Sequence, residues 1–484
     1  MFSISLTKNT IPEFIKKCIT EFPTNPVFSY YSDDRSELIK VAPNEFKANV
    51  DAVVTSIISK GYKKAHIGIL SENSYAYLLT FFSICSSDNV AVLFDANSKL
   101  DMISNLLEFN DCDVLFYSKS YVNEIEELKK NSDVEFIEIE SVLDLKDIDY
   151  DLLNKVEIHE DDDAIIAFTS GTSGNKKGVL LKQKSLPMVA IGCGNLIGID
   201  GVSMHILPFY HMFSLDFVLG TMSIGSTVFI SKSLRYLVKD ILSINPEILA
   251  CVPAVLANIY PVLEKLEKKE RLIVCGGAPG SDKWIKPLYD LNANLHNGYG
   301  LTECGACIAL DDRPASEDKD QSMKVLDVCE VKIDNKDENG IGEIIVKGET
   351  IMERYYKMQE ETNNVMIDGY FHTGDLGYLD EDNRLTVVGR IKNIIVLSNG
   401  ENIAPEPLEN EIMTFEGVKE CIVTLADDVL QANIYAPDAN QELIKEKIKE
   451  MNNRFAFANR ITNVVFKEEE FAKNSTGKII RINA

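Results

Sequence analysis

Residues 169–178 form a Thr/Ser/Gly-rich loop with two lysines, a composition suited to phosphate chemistry. The loop follows the apolar run 165–168, and a second apolar run, 179–181, comes directly after it. Hydroxyls, ammonium groups and backbone N–H groups donate to phosphate oxygens, and glycines let the backbone approach them closely. The sequence therefore predicts a phosphate-binding loop between two strands. The alternative is a flexible hairpin loop, which Ser/Gly/Asn composition alone would favour.

The glycine spacing excludes two familiar phosphate loops. A Walker A loop needs Gly, four residues and then Gly-Lys-Ser/Thr, but neither Gly171 nor Gly174 has a glycine five places on. The kinase loop needs Gly-x-Gly-x-x-Gly, which this stretch does not contain. Phosphate binding here would therefore use another pattern.

The elements that must position this loop alternate between strand and helix. Ser71 is the predicted N-cap of a helix that runs through residues 75–82. The other apolar patterns predict helices at 44–60 and 100–109 and strands at 65–70, 90–94 and 114–117. Such alternation is typical of an α/β fold in which helices flank a parallel sheet.

Length and composition indicate a soluble globular protein with more than one domain. The chain has 484 residues, of which 45% are hydrophobic and 26% charged. Its net charge of −26 argues against nucleic acid or an anionic membrane as the main partner. No run of eighteen apolar residues is present, so we expect no transmembrane segment.

The cysteines and the first residues favour a cytoplasmic location. The ten cysteines lack paired spacing over most of the chain, as expected in a reducing compartment. The first eight residues lack the basic region and long apolar region of a signal peptide.

The loop resembles the phosphate loop of the adenylate-forming (ANL) superfamily of acyl-CoA synthetases, aryl-CoA ligases, luciferases and peptide-synthetase adenylation domains. The pattern there is Ser/Thr-Ser-Gly-Thr-Thr/Ser-Gly-x-x-Lys-Gly, and every position from Thr169 to Gly178 fits it. The resemblance implies phosphate contacts from Thr169, Ser170, Gly171, Thr172, Ser173, Gly174 and Lys177.

Residues 299–303 are similar to a second signature of that superfamily, Tyr-Gly-x-Thr-Glu. By this resemblance Tyr299 stacks on adenine, Thr302 touches the α-phosphate and Glu303 holds Mg²⁺. A flat ring, a hydroxyl and a hard carboxylate suit these three roles. Other residues implied to border the nucleotide are Gly277, Ala278, Asn297, Gly298 and Gly300.

Cys304 and Cys307 form the one Cys-x-x-Cys of the sequence, which raises a redox alternative. The pair follows Glu303 instead of opening a thioredoxin-type helix, and this position weighs against redox chemistry.

Residues 205–215 resemble the superfamily's Leu-Pro-x-x-His segment, which lines the acyl pocket. Alone, His211 after two aromatic residues is more often a core histidine. In amino-acid-activating relatives an aspartate stands near its place, whereas this chain has His211 with the apolar Met212 and Phe213. The resemblance therefore implies a carboxylic acid with an apolar body and no α-amino group. The implied pocket consists of His211, Phe213, Ser214, Gly276, Gly277, Gly300, Leu301 and Cys304.

Four further segments near the C-terminus resemble segments of the superfamily. By resemblance, Asp375 binds the ribose hydroxyls and Arg390 contacts ribose or phosphate. Lys392 is the implied hinge, followed by Asn393 where an acidic residue is commoner, and Gly400 lies in a hairpin for the thiol step. Lys478, in Lys-x-x-x-Gly-Lys-Ile, is the implied catalytic lysine. The other residues implied to be catalytic are Thr302, Glu303 and His211.

The resemblance implies an α/β fold with a large N-terminal domain, residues 1–390, built from helix-flanked, mostly parallel sheets. A small mobile α+β domain, residues 391–484, would follow. The implied reaction uses ATP and Mg²⁺ to convert a fatty or aryl acid into an acyl-adenylate, which then reacts with a thiol. That thiol is coenzyme A or, alternatively, the phosphopantetheine of an acyl or peptidyl carrier protein. Two rival functions are a non-enzymatic acyl-adenylate binder and a luciferase-type oxygenase, and the oligomeric state stays open.

Overall fold

The computed structural model describes residues 4–169, 176–277, 284–316, 320–397, 402–426, 429–454, 460–473 and 479–481. Its α-helices are α1 (Ile11–Glu21), α2 (Pro43–Ser59), α3 (Tyr75–Cys85), α4 (Leu100–Phe109), α5 (Val122–Leu128), α6 (Tyr150–Leu153), α7 (Ser185–Ile197), α8 (Met212–Ser223), α9 (Leu237–Ile244), α10 (Pro253–Leu263), α11 (Ile285–Asp290), α12 (Gln359–Val365), α13 (Glu406–Ile412) and α14 (Gln441–Asn452).

Strands of the first half of the chain are β1 (Phe28–Tyr31), β2 (Leu38–Val41), β3 (His66–Leu70), β4 (Val90–Leu93), β5 (Cys112–Tyr117), β6 (Glu135–Glu138), β7 (Asp163–Phe168), β8 (Gly178–Lys182), β9 (Val202–His205), β10 (Thr227–Ile230) and β11 (Ile248–Cys251). Those of the second half are β12 (Arg271–Gly276), β13 (Ala293–Tyr299), β14 (Ala309–Leu310), β15 (Met323–Val325), β16 (Cys329–Asp334), β17 (Gly342–Gly348), β18 (Arg354–Tyr355), β19 (Met366–Ile367), β20 (Tyr370–Leu379), β21 (Arg384–Arg390), β22 (Ile395–Val396), β23 (Asn402–Ile403), β24 (Glu420–Ala426), β25 (Val429–Tyr435) and β26 (Ile461–Lys467).

The largest sheet has 14 strands in the order β16, β17, β20, β21, β15, β14, β13, β12, β11, β9, β10, β1 and β2, with β19 beside β20. Its parallel part runs from β13 through β12, β11, β9 and β10 to β1. Buried aliphatic residues fill these strands, as expected where helices cover both faces of a parallel sheet. Antiparallel strands extend the sheet beyond β13, so the sheet is mixed.

A second sheet of seven strands has the order β18, β8, β7, β4, β3, β5 and β6. Strands β7, β4, β3, β5 and β6 are parallel, and β8 and β18 continue the sheet antiparallel. Helix α3, all of whose residues are buried, belongs to the core that joins this sheet to the larger one. The two sheets are therefore the layers of one large unit.

The C-terminal residues have a small core of their own. It extends from Ile403 to Ile461 and is built on the three-stranded sheet of β24, β25 and β26, with α13 and α14 beside it. The two-stranded pair of β22 and β23 precedes it in the chain.

The predicted α/β fold class is confirmed, and each of the two large sheets contains one continuous block of parallel strands. The predicted N-cap of α3 is wrong: Ser74, not Ser71, accepts the hydrogen bond from the backbone N–H of Tyr77. Ser71 instead donates its hydroxyl to the carbonyl of Glu72. Among the described residues, no helix combines the length and the apolar character needed to cross a bilayer.

Candidate active site

The residues singled out by the sequence lie where parallel strands end. Thr169 follows the last residue of β7, Gly277 follows β12, and Tyr299 is the last residue of β13. Ligands of open α/β sheets bind at this carboxyl edge. Because β7 belongs to one sheet and β12 and β13 to the other, the candidate site draws residues from both.

Asp375 lies between Tyr299 and Arg390. The Tyr299 hydroxyl donates to Oδ2 of Asp375 at 2.8 Å, and Nε of Arg390 lies 2.7 Å from Oδ1. The antiparallel register of β20 and β21 places Asp375 opposite Arg390, which brings the two side chains together. Burial and then the charge of Asp375 raise the pKa of Tyr299, so the phenol keeps its proton and remains a donor.

The backbone that carries Asp375 is fixed by its neighbours. The backbone N–H of Asp375 donates to the Thr373 hydroxyl at 3.0 Å, and that of Gly374 donates to Oε1 of Glu343 at 3.0 Å. The other oxygen of Glu343 lies 2.8 Å from Nδ1 of His372. Hydrogen bonds to Glu343 on β17 therefore fix the part of β20 that carries Asp375.

Glu303 contacts a tyrosine that connects it to the end of the phosphate-loop segment. The Tyr355 hydroxyl donates to Oε1 of Glu303 at 2.8 Å, and Nζ of Lys177 lies 4.6 Å from the centre of the Tyr355 ring. Burial raises the pKa of Glu303, while the Tyr355 hydrogen bond and the positive charges of Arg390 and Lys177 act in the opposite direction.

Sequence reasoning missed Tyr355. It is held in place by the pairing of β18 with β8, in which Tyr355 lies opposite Val179. The backbone N–H of Met352 also donates to the carbonyl of Glu303 at 2.7 Å. These contacts are long-range, so no local pattern around residue 355 could have indicated them.

The two lysines of the loop segment differ in their surroundings. Nζ of Lys176 lies 3.1 Å from Asp95 and 2.9 Å from the hydroxyl of Ser98. Its charge is compensated within the protein, whereas Lys177 packs on the Tyr355 ring. Lys177 is therefore the better candidate for binding an anion.

His211 and Thr169 line the same small cavity. Thr169 follows β7 of the seven-stranded sheet, whereas His211 lies between β9 of the 14-stranded sheet and α8. The cavity has a volume of about 20 Å³, enough for roughly one water molecule, and is lined by Leu93, Asp95, Phe168, Thr169, Lys176, Tyr210 and His211. His211 is the N-cap residue of α8, and its carbonyl accepts from the backbone N–H of Ser214 at 2.9 Å.

The predicted acyl-pocket residues partly converge. A Cβ added at Gly276 would lie 3.6 Å from the Phe213 ring and 3.1 Å from the carbonyl oxygen of Gly298, so these three residues meet. At Gly300 a Cβ would fall 1.6 Å from the carbonyl oxygen of Ala306, which makes glycine obligatory there. The Ser214 hydroxyl donates to the carbonyl of Leu207, so it serves the entry to α8.

The remaining predicted residues of this region occupy the same strand ends. Asn297 lies opposite Cys275 in the β12–β13 register, and Gly300, Leu301 and Thr302 are the first three residues after β13. Cys304 is buried, and burial followed by the charge of Glu303 raises its pKa, so its thiol stays protonated. Both Cys304 and Cys307 are free thiols.

The segment after β21, which contains the predicted hinge Lys392, contacts the start of α13. The side-chain amide of Asn393 donates to Oε1 of Glu406 at 2.7 Å. An acidic residue at position 393 would face this buried carboxylate, which explains why an amide fits here. Burial, and then the charge of Arg390, lower the pKa of the neighbouring Lys392.

Several predicted residues lie outside the described part of the chain: Ser170, Gly171, Thr172, Ser173, Gly174, Ala278, Gly400 and Lys478. Next to the last of these, Lys473 pairs with Ile479 as an antiparallel bridge, and Lys473 forms an ion pair with Glu420 of β24.

Comparisons with known proteins agree with the motifs. The family model described as AMP-binding enzyme matches residues 20–356. The chain is 31% identical over 375 residues to 4-coumarate–CoA ligase 3 of Oryza sativa subsp. japonica, an alignment that covers 71% of this chain and 67% of the rice protein. It is 26% identical over 457 residues to a long-chain-fatty-acid–CoA ligase of Mycobacterium tuberculosis, with 89% of each chain covered.

Solved structures share the fold. An o-succinylbenzoate CoA synthetase from Bacillus subtilis, in complex with its acyl-adenylate intermediate, superposes with a TM-score of 0.82 at 22% identity. The superposition covers 99% of this chain and 98% of the other. Because the family model spans more than half of the chain, the resemblance to the adenylate-forming superfamily is confirmed: the protein belongs to the AMP-binding enzyme family, as an AMP-forming acid–thiol ligase of the acyl-CoA synthetase type.

Proposed function

We propose that the protein activates an aryl or fatty carboxylic acid with ATP and transfers the acyl group to coenzyme A, releasing AMP and pyrophosphate. The observation that carries this proposal is the contact series from Lys177 through Tyr355 to Glu303. It joins the end of the phosphate-loop segment to the Tyr-Gly-x-Thr-Glu segment, so a cation and a carboxylate face the same region from two different sheets.

The chemistry requires such an arrangement. A carboxylate is a poor acyl donor because its leaving group would be oxide, and attack on the α-phosphorus of ATP converts it into a mixed anhydride with AMP as leaving group. Both reactants are anions, so the protein must hold them in line and offset their repulsion. On a chain with net charge −26, local cations such as Lys177 and Arg390 become essential for this purpose.

Each role assigned here is part of the proposal. Tyr299 stacks on adenine, Asp375 and Arg390 hold the ribose, and Thr302 contacts the α-phosphate. The residues 169–178 bind the departing pyrophosphate, and Lys478 approaches the reacting carboxylate and α-phosphate. Tyr299 and Arg390 orient the two oxygens of Asp375, and each oxygen of a carboxylate can accept more than one hydrogen bond.

Glu303 fits a magnesium ion. Its carboxylate is buried, and Tyr355 holds one oxygen by a hydrogen bond. Mg²⁺ prefers such hard oxygen ligands and binds with few protein carboxylates plus phosphate oxygens. When bound, the ion neutralises charge on the phosphates, while Tyr355 keeps the Glu303 carboxylate oriented.

Asp375→Ala should raise the ATP concentration needed for half-maximal rate by roughly 10- to 100-fold. The lost hydrogen bonds from ribose to a charged acceptor are together worth about 1.5–3 kcal/mol. The measurement is the ATP dependence of pyrophosphate release. Asp382→Ala, in the exposed turn of the same β20–β21 hairpin, is the matched control and should leave it unchanged. An unaltered ATP dependence in folded Asp375→Ala would remove this residue from the nucleotide site.

The acid is proposed to lack an α-amino group. Position 211 carries histidine where an ammonium-binding aspartate would be needed, and the Phe213 ring lies against Gly276 in the same region. An apolar wall of this kind binds the body of an aryl or fatty acid and offers no countercharge to an ammonium group.

An ATP–pyrophosphate exchange screen across aryl, fatty and amino acids tests the proposed function directly. We expect the strongest exchange with aryl or fatty acids and only background exchange with amino acids. Exchange greatest with an amino acid would show that the assignment of His211 is wrong. Absence of exchange with every acid, in protein that binds ATP, would instead favour a non-enzymatic acyl-adenylate binder.

The acceptor and the domain movement complete the proposal. Residues 391–484 would form the small mobile domain that pivots at Lys392, so that Lys478 serves adenylation and the Gly400 hairpin serves the thiol step. Incubating the acyl-adenylate with either coenzyme A or a phosphopantetheinylated carrier protein distinguishes the two thiol sources. We expect faster acyl transfer to free coenzyme A.

A further inference from the structure

Two cysteines and an aspartate from three separate segments meet in the core of the large unit. Cys193 lies on α7, Asp216 lies on α8, and Cys307 follows the turn that begins at Thr302. One ligand atom from each residue lies within 4.8 Å of the other two, and Sγ of Cys193 is 3.6 Å from Oδ2 of Asp216. All three residues are buried, with exposed fractions of 6%, 3% and 9%.

Asp216 has an incomplete set of partners. Oδ2 accepts from the Cys193 thiol, a weak donor, and Oδ1 has no hydrogen-bond partner among the residues that the structure describes. The surroundings are apolar and include Val189, Phe217, Ile224 and Leu310. A buried carboxylate in such a place needs either a proton or a cation to offset its lost hydration.

We propose that Cys193, Asp216 and Cys307 form a binding site for a thiophilic divalent cation, for which zinc is the best match. Two thiolates and a carboxylate are ligands that zinc takes in proteins, whereas magnesium takes oxygen ligands only. The site is thus chemically distinct from the one proposed at Glu303.

The measured spacing fits one tetrahedral ion. With Zn–S of about 2.3 Å and Zn–O of about 2.0 Å, a sulfur and an oxygen on the same tetrahedral zinc lie roughly 3.5 Å apart. The distance from Cys193 Sγ to Asp216 Oδ2 is 3.6 Å. Binding displaces the two thiol protons, and the proton of Asp216 where it is present, to solvent. Three protein ligands leave one position of the tetrahedron for water.

Such an ion would connect the elements that carry the candidate active site. Helix α8 begins directly after His211, and Cys307 lies four residues beyond Glu303. Zinc would cross-link both to α7 and so stabilise the folded chain, because it binds the assembled ligands and not the unfolded ones. This role goes beyond the proposed ligase reaction and does not depend on it.

Metal content and cobalt absorption test the site in the full chain. Protein produced with zinc in the medium and dialysed should retain about one zinc per chain. Replacement of zinc by Co²⁺ should give a sulfur-to-cobalt charge-transfer band in the near ultraviolet, which requires thiolate ligands. Cys193→Ser, Cys307→Ser and Asp216→Asn should each lose the retained zinc and the melting temperature increase that it causes.

Cys251→Ser is the matched control. Cys251 on β11 lies opposite Cys275 on β12, so these two residues are another pair of adjacent buried thiols, without an aspartate in the pair. This variant should keep both the zinc and the cobalt band. The proposal is overturned if unmutated protein gives no charge-transfer band, a result that needs no variant to fold. It is also overturned if zinc persists in the three variants, or if it is lost only in His372→Ala, which would place the ion at Asp334, Glu343 and His372 instead.

Discussion

Glu303→Gln is expected to slow acyl-adenylate formation by on the order of 10²–10³, the effect of losing one preorganised charge-stabilising group. The substitution removes a charge and little else, because the amide oxygen of glutamine can still accept the hydrogen bond from Tyr355. It also removes the hard carboxylate proposed to hold Mg²⁺. The measurement is single-turnover formation of acyl-AMP over a range of Mg²⁺ concentrations, where excess Mg²⁺ should restore part of the rate.

Two further variants separate this effect from a general loss of structure. Glu353→Gln alters an exposed carboxylate two residues before Tyr355 and should leave adenylation unchanged. Tyr355→Phe keeps the ring that packs under Lys177 but frees Glu303 to reorient, so its effect should lie between those of the other two. If Glu303→Gln forms acyl-AMP at the normal rate at every Mg²⁺ concentration, Glu303 is not a ligand of the ion.

The nucleotide-site candidates were predictable because they lie in short contiguous motifs. Tyr299, Thr302 and Glu303 stand within five residues of each other at a strand end, where spacing in the sequence translates directly into proximity. Helix α4 was predicted with the same bounds that the structure has, because its apolar residues recur at helical spacing.

Contacts between distant segments could not be predicted in this way. Tyr355 reaches Glu303 only because β18 adds to the edge of the seven-stranded sheet, a pairing set by tertiary structure. Asp375 and Arg390 were both singled out, but their direct ion pair depends on a strand register that includes a β-bulge after Leu376.

Competing local signals explain the N-cap error at α3. Ser71 and Ser74 are both followed by a possible first turn, and the hydroxyl of either could cap a helix. The helix begins at Tyr75 because the Ser74 hydroxyl accepts from the backbone N–H of Tyr77, whereas the Ser71 hydroxyl donates to the carbonyl of Glu72. Between the two serines, the Asn73 side chain bonds the backbone of Leu207 and Phe209, so a tertiary contact separates two caps that local propensity left equivalent.

The residue type at position 393 is explained only by its hydrogen-bond partner, Glu406. In the sequence, Asn393 stands out only as an amide where an acidic residue is commoner. In the structure its amide donates to Glu406, whose Oε2 is buried without a hydrogen-bond partner among the described residues. An aspartate at this position would put two carboxylates within hydrogen-bond distance and disfavour the observed contact of residue 393 with α13.

Lys478→Ala should separate the two half-reactions. If the Lys478 ammonium stabilises charge that develops as the carboxylate meets the α-phosphate, its loss should slow adenylation by on the order of 10²–10³. The thiol step is proposed to use a different face of residues 391–484, so synthetic acyl-AMP supplied with coenzyme A should still react at nearly the normal rate. Lys467→Ala, an exposed lysine at the end of β26, is the matched control and should change neither step.

Lys392→Pro should give the opposite pattern. Proline fixes φ near −65° and removes the backbone N–H, so it hinders rotation at the pivot. Helix α13 packs against β21, and a swing of residues 391–484 about Lys392 would have to break that contact. Adenylation in Lys392→Pro should therefore persist while acyl transfer to coenzyme A slows.

Equal losses of both half-reactions in Lys478→Ala, with the nucleotide still bound, would contradict alternating use of the small domain, because one lysine would then serve both chemical steps.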